Sequence, residues 1–344
     1  MNIVVLAGGL STERDVSLIT GKNVVNALRS IGENAHLLDI FLGWEGDADA
    51  FFSSSPEQYD TNNGIKEIDP DIEGIKKSRG GDTASLFGNN VLEICKKADF
   101  VFIALHGEDG EDGKVQATFD LLRIKYTGSG CLASAMAMNK YISKQMMDAN
   151  NIVNAKYCFV SKGDAVPKYA FPCVIKPTSG GSSVGISIAK NEEDYENAVN
   201  LAFEYEDKII IEEFIEGREF SVGILGDTVL PPIEIIPKEG FYDYKNKYQS
   251  GMTIEICPAE LTDEENKNIA ACARAVFDAL SLEVYSRIDF ILSKENGKFY
   301  CLEANSLPGL TSMSLLPQEA AAIGIDYPAL CKKIIELSEK KYKK

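Results

Sequence analysis

Short apolar runs separated by amphipathic stretches fill the N-terminal third of the chain. The first run ends at Gly8-Gly9, and a helical pattern follows through about residue 31. A buried strand, a glycine turn, a helix and another strand make a βαβ unit, so the pattern predicts a parallel sheet. We predict its three strands at 3–7, 34–40 and 99–105.

The start of the first helix is also predicted from the sequence. Residues Thr12 to Asp15 have the form of a capping box, in which a hydroxyl and an acid three residues later satisfy each other's backbone amides. The helix is therefore predicted to begin near Ser11 or Thr12.

Beyond the third strand the pattern becomes a mixed α+β order. We interpret 43–90, where the periodicity fades, as a surface insertion of loops and short elements. A hairpin is predicted at 284–305 and a last helix near 326–341. The other predicted strands are 172–177, 185–189, 208–213, 219–225 and 229–236, and the other predicted helices are 111–123, 131–149, 192–204 and 262–281.

Length and composition limit the possible classes of protein. A chain of 344 residues exceeds what one hydrophobic core usually organises. The formal charge of −17 argues against nucleic acid or an anionic membrane as a partner. The N-terminal apolar run is too short for a signal peptide or a membrane span, so we expect a cytoplasmic protein. The eight cysteines form no CxxC pair, and we expect reduced, mostly buried thiols.

A loop made almost wholly of Gly, Ser and Thr lies between two strand-like runs at 174–189. Glycines let a backbone approach a phosphate, and amides and hydroxyls donate to its oxygens. Lys176, just before the loop, supplies a positive charge. A flexible turn without function explains this segment equally well on its own. The chain has no Walker A sequence, and its first turn is not GxGxxG, which weakens a dinucleotide fold.

The hairpin at 284–305 carries an unusual acidic pair. A three-residue loop at 295–297 keeps the apolar faces together, whereas a two-residue turn mixes them. The favoured register pairs Arg287 with Asn305, Ile288 with Ala304, Asp289 with Glu303, and Phe290 with Leu302.

Two carboxylates directly opposite each other on paired strands repel unless a cation lies between them. Asp289, Glu303 and Asn305 offer only oxygen ligands, which suit magnesium that bridges nucleotide phosphates. Arg287 lies on the same face and can stabilise charge on a transferred phosphoryl group. A solvated polar face is the alternative.

Two further loops carry candidate residues. His106 follows a predicted strand, and open α/β sheets bind ligands at strand ends, although a structural turn residue is the alternative. The loop at 241–251 is aromatic and cationic, and we interpret it as a mobile cover with Lys247 and Tyr248 facing inward. An ordinary surface loop is equally compatible with it.

Together these segments resemble the D-alanine–D-alanine ligases of the ATP-grasp superfamily. The resemblance covers nearly the whole chain except 43–90. It rests on GGLSTERDVSL, ALHGEDGEDGKVQ, YTGSGCLASAMAMNK, KPTSGGSSVGIS, the Lys247-Tyr248 pair, RIDF and EANSLPGLTSMSLLP. Ala117 and Cys301 are small departures, where the family usually has Gly and an aliphatic residue.

The resemblance implies an α/β and α+β chain with an ATP-grasp fold and an N-terminal Rossmann-like domain. Its three parts would be 1–125 (with the insertion 43–90), 126–217 and 218–344. It implies ligation of two D-alanine molecules through an acyl phosphate for peptidoglycan synthesis, with ATP, two Mg²⁺ or Mn²⁺ ions, and a homodimer. D-lactate-preferring relatives tend to have Phe at the position of Tyr248, which favours an amine nucleophile here.

The resemblance also assigns roles residue by residue. ATP would be bound by Lys140, Lys176, Ser182, Ser183, Glu212, Ile215, Glu219 and Lys247. The metal ions would be held by Asp289, Glu303 and Asn305, and the amino acids by Glu13, His106, Gly309, Ser314 and Leu315. The catalytic set would be Glu13, Ser182, Tyr248, Arg287 and Ser314. The alternatives are another carboxylate–amine ligase, a non-catalytic nucleotide-binding module and a dinucleotide oxidoreductase.

Overall fold

The strands of the protein form three separate sheets in a computed structural model. The model describes residues 1–53, 70–80, 83–181, 184–238, 253–311 and 314–343. Each sheet is built from one stretch of the chain. The sheets are described below in chain order.

The N-terminal sheet is parallel, with the order β2-β1-β3, which confirms the predicted βαβ unit. Its strands are apolar and buried because helices cover them. The elements are β1 (Asn2–Ala7), α1 (Arg14–Ser30), β2 (Asn34–Asp39), α2 (Ile72–Arg79), α3 (Val91–Lys97), β3 (Phe100–Ile103), α4 (Glu108–Glu111) and α5 (Lys114–Leu122).

The predicted capping box at the first helix is wrong. Helix α1 begins at Arg14, and its N-cap residue Glu13 makes no side-chain cap. The Ser11 hydroxyl donates instead to the His106 carbonyl at 2.7 Å, so the turn is fixed by the neighbouring strand end rather than by its own side chains. The Glu13 side chain is thereby directed away from the helix backbone.

The stretch at 43–90 is not purely a surface insertion in the part that the structure describes. Phe51 is fully buried, and its ring packs edge to face against Trp44 and beside His36. Gly43 also forms a bridge with Asn89, which closes the base of the stretch. The beginning and the end of this stretch therefore belong to the N-terminal domain.

The helix predicted at 131–149 is in fact two helices, α6 (Cys131–Met138) and α7 (Lys140–Ala149). Asn139 has extended backbone angles, and its side chain accepts from the Ile142 amide at 3.0 Å. An asparagine N-cap therefore starts a new helix. The break places Lys140 at the first position of α7.

The central sheet is antiparallel, with the order β4-β7-β5-β6. Helix α8 (Glu192–Tyr205) covers one face through Tyr195, Ala198 and Ala202. The strands are β4 (Tyr157–Ser161), which the sequence analysis did not predict, β5 (Cys173–Pro177), β6 (Ser187–Ala189) and β7 (Lys208–Glu213).

The C-terminal sheet is antiparallel, with the order β11-β10-β8-β12-β13 and with β9 paired to β8. The strand predicted at 229–236 is split in two because Pro231 and Pro232 cannot donate ladder hydrogen bonds. The elements are β8 (Gly217–Leu225), β9 (Thr228–Val229), β10 (Ile233–Pro237), β11 (Thr253–Ile256), α9 (Asp263–Ala279), β12 (Tyr285–Ser293), β13 (Phe299–Asn305), α10 (Leu315–Ala322) and α11 (Tyr327–Glu339).

The two ends of the chain share one hydrophobic core. Leu330 and Ile334 of α11 lie in the same buried cluster as Val5 of β1 and Val24 of α1. Leu316 of α10 belongs to this cluster as well. The packing fixes the N-terminal sheet against the end of the C-terminal sheet, and the main cavity opens where they meet the central sheet.

Candidate active site

A cavity of about 410 Å³ lies at the meeting point of the three sheets. Residues from all three parts of the chain line it, including nine of the fourteen predicted site residues that the structure describes. The predicted residues that line it are Glu13, His106, Lys140, Arg287, Glu303, Asn305, Gly309, Ser314 and Leu315. The predicted residues that do not line it are Lys176, Glu212, Ile215, Glu219 and Asp289, whereas Ser182, Ser183, Lys247 and Tyr248 fall outside the described residues.

Glu13 occupies one end of the cavity and is buried. A Cβ placed on Gly181 would lie 3.1 Å from Glu13 Oε2, and one on Gly107 would lie 3.2 Å from it. Two glycines from different parts of the chain therefore make room for this carboxylate. A buried carboxylate in an open cavity is a binding site for a ligand cation such as an ammonium group.

His106 and Glu111 extend this end of the cavity. His106 Nδ1 lies 3.6 Å from Glu111 Oε1, and Nε2 lies 3.2 Å from Thr20 Oγ1. The pKa of Glu111 is raised overall, mainly by burial and further by the nearby Glu13 carboxylate. The hydrogen bond with His106 lowers it in part. His106 is thus held from both sides of its ring at the cavity wall.

Protein groups bind two of the backbone amides in the first glycine turn. Asp109 accepts from the Leu10 amide, and Gly8 donates its amide to Ser17 Oγ at 2.9 Å. Arg14 Nη1 donates to the Gly9 carbonyl at 2.6 Å. Because the Gly8 and Leu10 amides already have protein partners, the turn offers fewer donors to a phosphate than a dinucleotide-binding turn does.

Lys140 holds the beginning of the Gly/Ser loop. Its amide donates to the Thr178 carbonyl at 2.7 Å, and its Nζ donates to the Gly180 carbonyl at 2.8 Å. Glu206 accepts from the Thr178 hydroxyl at 2.8 Å and from the Ser179 amide at 2.9 Å. The ammonium of Lys140 also lies 3.7 Å from Glu303 Oε2, which brings a cation of helix α7 and an acid of the C-terminal sheet together.

Lys176 belongs to a cluster of three charged side chains beside the Gly/Ser loop. Its Nζ lies 2.5 Å from Glu212 Oε1, and Lys144 Nζ lies 2.9 Å from Glu212 Oε2. All three side chains are almost fully buried. Burial opposes the charge on Glu212, yet the two lysines lower its pKa, so the group is one anion between two cations.

The hairpin pairs Arg287 with Asn305, Ile288 with Ala304 and Asp289 with Glu303, as the sequence predicted. The predicted pairing of Phe290 with Leu302 is wrong, because Phe290 lies opposite Cys301. The predicted three-residue loop is wrong too, since the Ser293 amide donates to the Lys298 carbonyl around a four-residue loop. A β-bulge at Leu302 restores the register at the acidic pair.

The oxygen-rich end of the hairpin is suited to a divalent cation. Arg287 donates to both Asp289 oxygens at 3.0 and 2.8 Å, and the Ser221 hydroxyl donates to Oδ1 at 2.8 Å. Asn305 Nδ2 lies 3.4 Å from Asp289 Oδ2. Among the described residues, no group of three or more His, Cys, Asp or Glu side chains is arranged so that it could hold a metal ion. Two carboxylates and an amide oxygen nevertheless form the hard donor set that magnesium prefers.

The opposite end of the cavity is the N-terminus of α10. Ser314 Oγ accepts from the Thr311 amide at 3.0 Å and lies 2.8 Å from the Thr311 hydroxyl. A Cβ on Gly309 would meet Ser314 Oγ at 2.9 Å, so a side chain at this position would have to displace the Ser314 hydroxyl. Ser314 and Leu315 thus present the start of a helix, which favours anionic groups, to the cavity.

Three functional candidates were missed in the sequence analysis. Glu111 was part of the quoted acid-rich motif but had no assigned role. Lys144 lies one helical turn after Lys140, a spacing that could have signalled a shared face. Glu255 lines the cavity from β11, a strand that the sequence analysis did not predict.

Two antiparallel sheets that meet at a cavity lined by lysine, arginine and carboxylate side chains define an ATP-grasp enzyme. The family model described as the D-ala D-ala ligase N-terminus matches residues 2–129, and the one described as the D-ala D-ala ligase C-terminus matches residues 144–336. The chain belongs to the D-alanine–D-alanine ligase family, a family of carboxylate–amine ligases.

Individual relatives agree over the whole length. The D-alanine–D-alanine ligase of Pediococcus pentosaceus is 46% identical, with 99% of each chain covered. That of Lacticaseibacillus casei is 44% identical, with 99% of this chain and 97% of the relative covered. The Bacillus anthracis ligase structure complexed with ATP has a TM-score of 0.76 at 28% identity and covers 100% of this chain and 99% of its own.

Two expectations about the whole chain can also be compared with the structure. In the part of the chain that the structure describes, no helix has the length and apolar character needed to cross a membrane. Each of the eight cysteines, all of them described, is a free thiol.

Proposed function

We propose that this chain joins two D-alanine molecules into D-alanyl-D-alanine with ATP, for peptidoglycan precursors. The observation that carries the proposal is the single cavity lined by Glu13, Lys140, Arg287 and the start of α10. It offers, in one space, an anion for an ammonium group, cations for phosphate and a helix start for a carboxylate. The family membership supports the same reaction.

In the proposed reaction a carboxylate oxygen of the first D-alanine attacks the γ-phosphorus of ATP, and ADP leaves. The product is an acyl phosphate, which is a far better electrophile than a carboxylate. Lys140, Lys176 and Arg287 reduce the repulsion between the two anions. Glu13 binds the ammonium of this D-alanine and so orients its carboxylate.

The neutral amine of the second D-alanine then attacks the acyl carbon. A C–N bond forms, the amine loses a proton, and inorganic phosphate leaves from the tetrahedral intermediate. Arg287 and the Gly309 amide would stabilise the oxyanion, while Ser314 and Leu315 would receive the carboxylate of the second amino acid. Water must be excluded because it hydrolyses the acyl phosphate.

Asp289, Glu303 and Asn305 would hold two Mg²⁺ or Mn²⁺ ions. When bound, such ions neutralise phosphate charge. The roles of Ser182, Ser183, Lys247 and Tyr248 remain proposals that rest on the sequence resemblance, as do those of Ile215 and Glu219 in the adenine–ribose pocket. Glu212 would serve that pocket indirectly, through its ion pairs with Lys176 and Lys144.

We also propose three functional parts, 1–125, 126–217 and 218–344, in a cytoplasmic homodimer. The separate sheets support the division, because each is formed by strands from one of these ranges except for Gly217, the first residue of β8. The shared core of α1 and α11 indicates that the first and last parts move together.

A coupled assay of ADP release tests the proposed function. ADP should form with ATP and D-alanine, and mass spectrometry should show D-alanyl-D-alanine in equal amount. A panel of D- and L-amino acids, with D-serine and D-lactate as second substrates, separates the other carboxylate–amine ligases. ATP binding without turnover would indicate a nucleotide-binding module, and NADH binding would indicate an oxidoreductase.

A further inference from the structure

Glu255 is an acidic residue of the cavity that the proposed reaction does not use. It lies on β11, is partly exposed, and lines the same cavity as Arg287, Ser314 and Leu315. Its position is therefore at the end of the cavity that would receive the second amino acid. Glu13, which would bind the first ammonium, comes from α1 and the N-terminal sheet instead.

The Glu255 carboxylate is oriented by a neutral residue. Gln318, in the first turn of α10, donates its Nε2 to Glu255 Oε2 at 2.6 Å. Among the described residues no lysine or arginine forms an ion pair with Glu255. The hydrogen bond from Gln318 therefore fixes the direction of the carboxylate at the cavity wall without pairing it with a cation.

We propose that Glu255 determines the specificity for the second substrate by binding its ammonium group as it enters the cavity, before that group loses a proton and attacks as the neutral amine. This inference rests on the proposed function. D-alanine carries a carboxylate and an ammonium on one carbon, so with the carboxylate at the start of α10 the ammonium lies within reach of the neighbouring strand β11. D-lactate has the same carboxylate but carries a neutral hydroxyl in place of the ammonium. Glu255 therefore forms no ion pair with D-lactate and repels its carboxylate.

The test compares two second substrates in competition. Wild-type protein and Glu255→Gln are incubated with ATP, D-alanine and D-lactate at pH 7, and the dipeptide and the ester are counted by mass spectrometry. The ratio of dipeptide to ester should fall at least about tenfold in Glu255→Gln, which corresponds to 1.4 kcal/mol of discrimination. The KM for ATP and the KM for the first D-alanine should stay within about twofold, since those sites lie elsewhere.

Two further variants separate recognition from a structural effect. Gln318→Ala removes the donor that orients the carboxylate and should lower the same ratio by a smaller factor. Glu264→Gln removes an exposed acid of α9 and should leave the ratio unchanged. Circular dichroism of each variant shows whether it is folded. If Glu255→Gln does not fold, the ratio for Gln318→Ala decides the question.

The inference is overturned if folded Glu255→Gln keeps the wild-type ratio, or if Gln318→Ala does so when it is the only folded variant. It is also overturned if Glu264→Gln shifts the ratio equally, because the effect would then come from net charge alone. Failure of the proposed function gives a different result, since wild-type protein would then form no dipeptide from D-alanine and ATP.

Discussion

Lys176 and Glu212 form an ion pair across the neighbouring strands β5 and β7, with 2.5 Å between Nζ and Oε1. Lys144 of α7 binds the other oxygen of the same carboxylate. Burial lowers the pKa of Lys144, while the attraction of Glu212 raises it. The cluster thus places one carboxylate between two buried lysine side chains, beside the loop that is proposed to bind phosphate.

Removing the anion from this cluster leaves two buried ammonium groups side by side. Glu212→Gln should therefore lower the free energy of unfolding by about 3–5 kcal/mol, the range for breaking a buried pair. The variant should also lose ATP turnover, because the two lysines repel each other and Lys176 leaves its position. Urea unfolding and ADP release measure the two effects.

Glu216→Gln is the matched control. Glu216 is also paired with a lysine, Lys294, but its side chain is 73% exposed. Its replacement should change stability by less than about 1 kcal/mol. An equal loss of stability in the two variants would contradict the buried cluster as the cause.

The close approach of Gly181 to Glu13 gives a second prediction. A methyl group added in Gly181→Ala would lie 3.1 Å from Glu13 Oε2 and would displace the carboxylate by a few tenths of an ångström. The KM for the first D-alanine should rise roughly three- to tenfold, since small misplacements of positioning groups are costly. The KM for ATP should remain within about twofold.

Steady-state kinetics with D-alanine and ATP varied separately provide this measurement. Gly32→Ala is a control for the methyl group, because its added Cβ meets no atom within 4 Å, although its positive φ costs some stability. Equal rises in both KM values for Gly181→Ala would show that the change deforms the loop rather than Glu13.

Most of the fold could be predicted from the sequence where local pattern and tertiary structure agree. The parallel sheet and the Asp289–Glu303 register follow from runs of apolar residues and from strand alternation. The bulge at Leu302 could not be predicted, because it depends on how the hairpin loop closes. Asn139 was read as part of a continuous helix because its N-cap role appears only with the loop that packs against Lys140.

The candidate site was predictable only in part, because some of its residues are positioned by contacts between distant parts of the chain. Motifs identify residues that contact ligands, and those residues gather around one cavity. Lys144 and Glu255 are positioned by partners distant in the sequence, Glu212 and Gln318. No local pattern contains such pairs.

The facing acids of the hairpin give a third prediction. Asp289→Asn and Glu303→Gln should each lose ADP release by a factor of at least about 100, because the oxygen ligands of the metal are weakened. Both should remain folded, since Asn and Gln keep the shape and an acceptor oxygen. ADP release is measured over a magnesium titration up to saturation, with circular dichroism as the check of folding.

Asp278→Asn serves as control, because Asp278 is an exposed acid of α9 whose partner is Arg274, one helical turn away. It should retain wild-type turnover. Near-normal turnover of either hairpin variant at saturating magnesium would show that the metal ligands lie elsewhere.

The last prediction concerns the pH dependence of stability at Asp109, which fixes the first glycine turn. Burial raises the pKa of Asp109, although hydrogen bonds from the Leu10 and Ser11 amides lower it in part. The folded protein therefore binds this proton more tightly than the unfolded chain does. Ionised Asp109 costs stability at neutral pH, and the cost disappears as the pH falls through the raised pKa towards the unfolded value of about 3.9.

Asp109→Asn removes this titration. The free energy of unfolding of the variant minus that of the wild type should therefore be largest near pH 7 and should decrease steadily towards pH 4. Urea unfolding at half-unit pH steps measures the difference, and Glu108→Gln, which removes the exposed neighbouring acid, should show no such slope. A difference that grows as the pH falls would mean that Asp109 is stabilised as an anion, and that its hydrogen bonds to the glycine turn outweigh its burial.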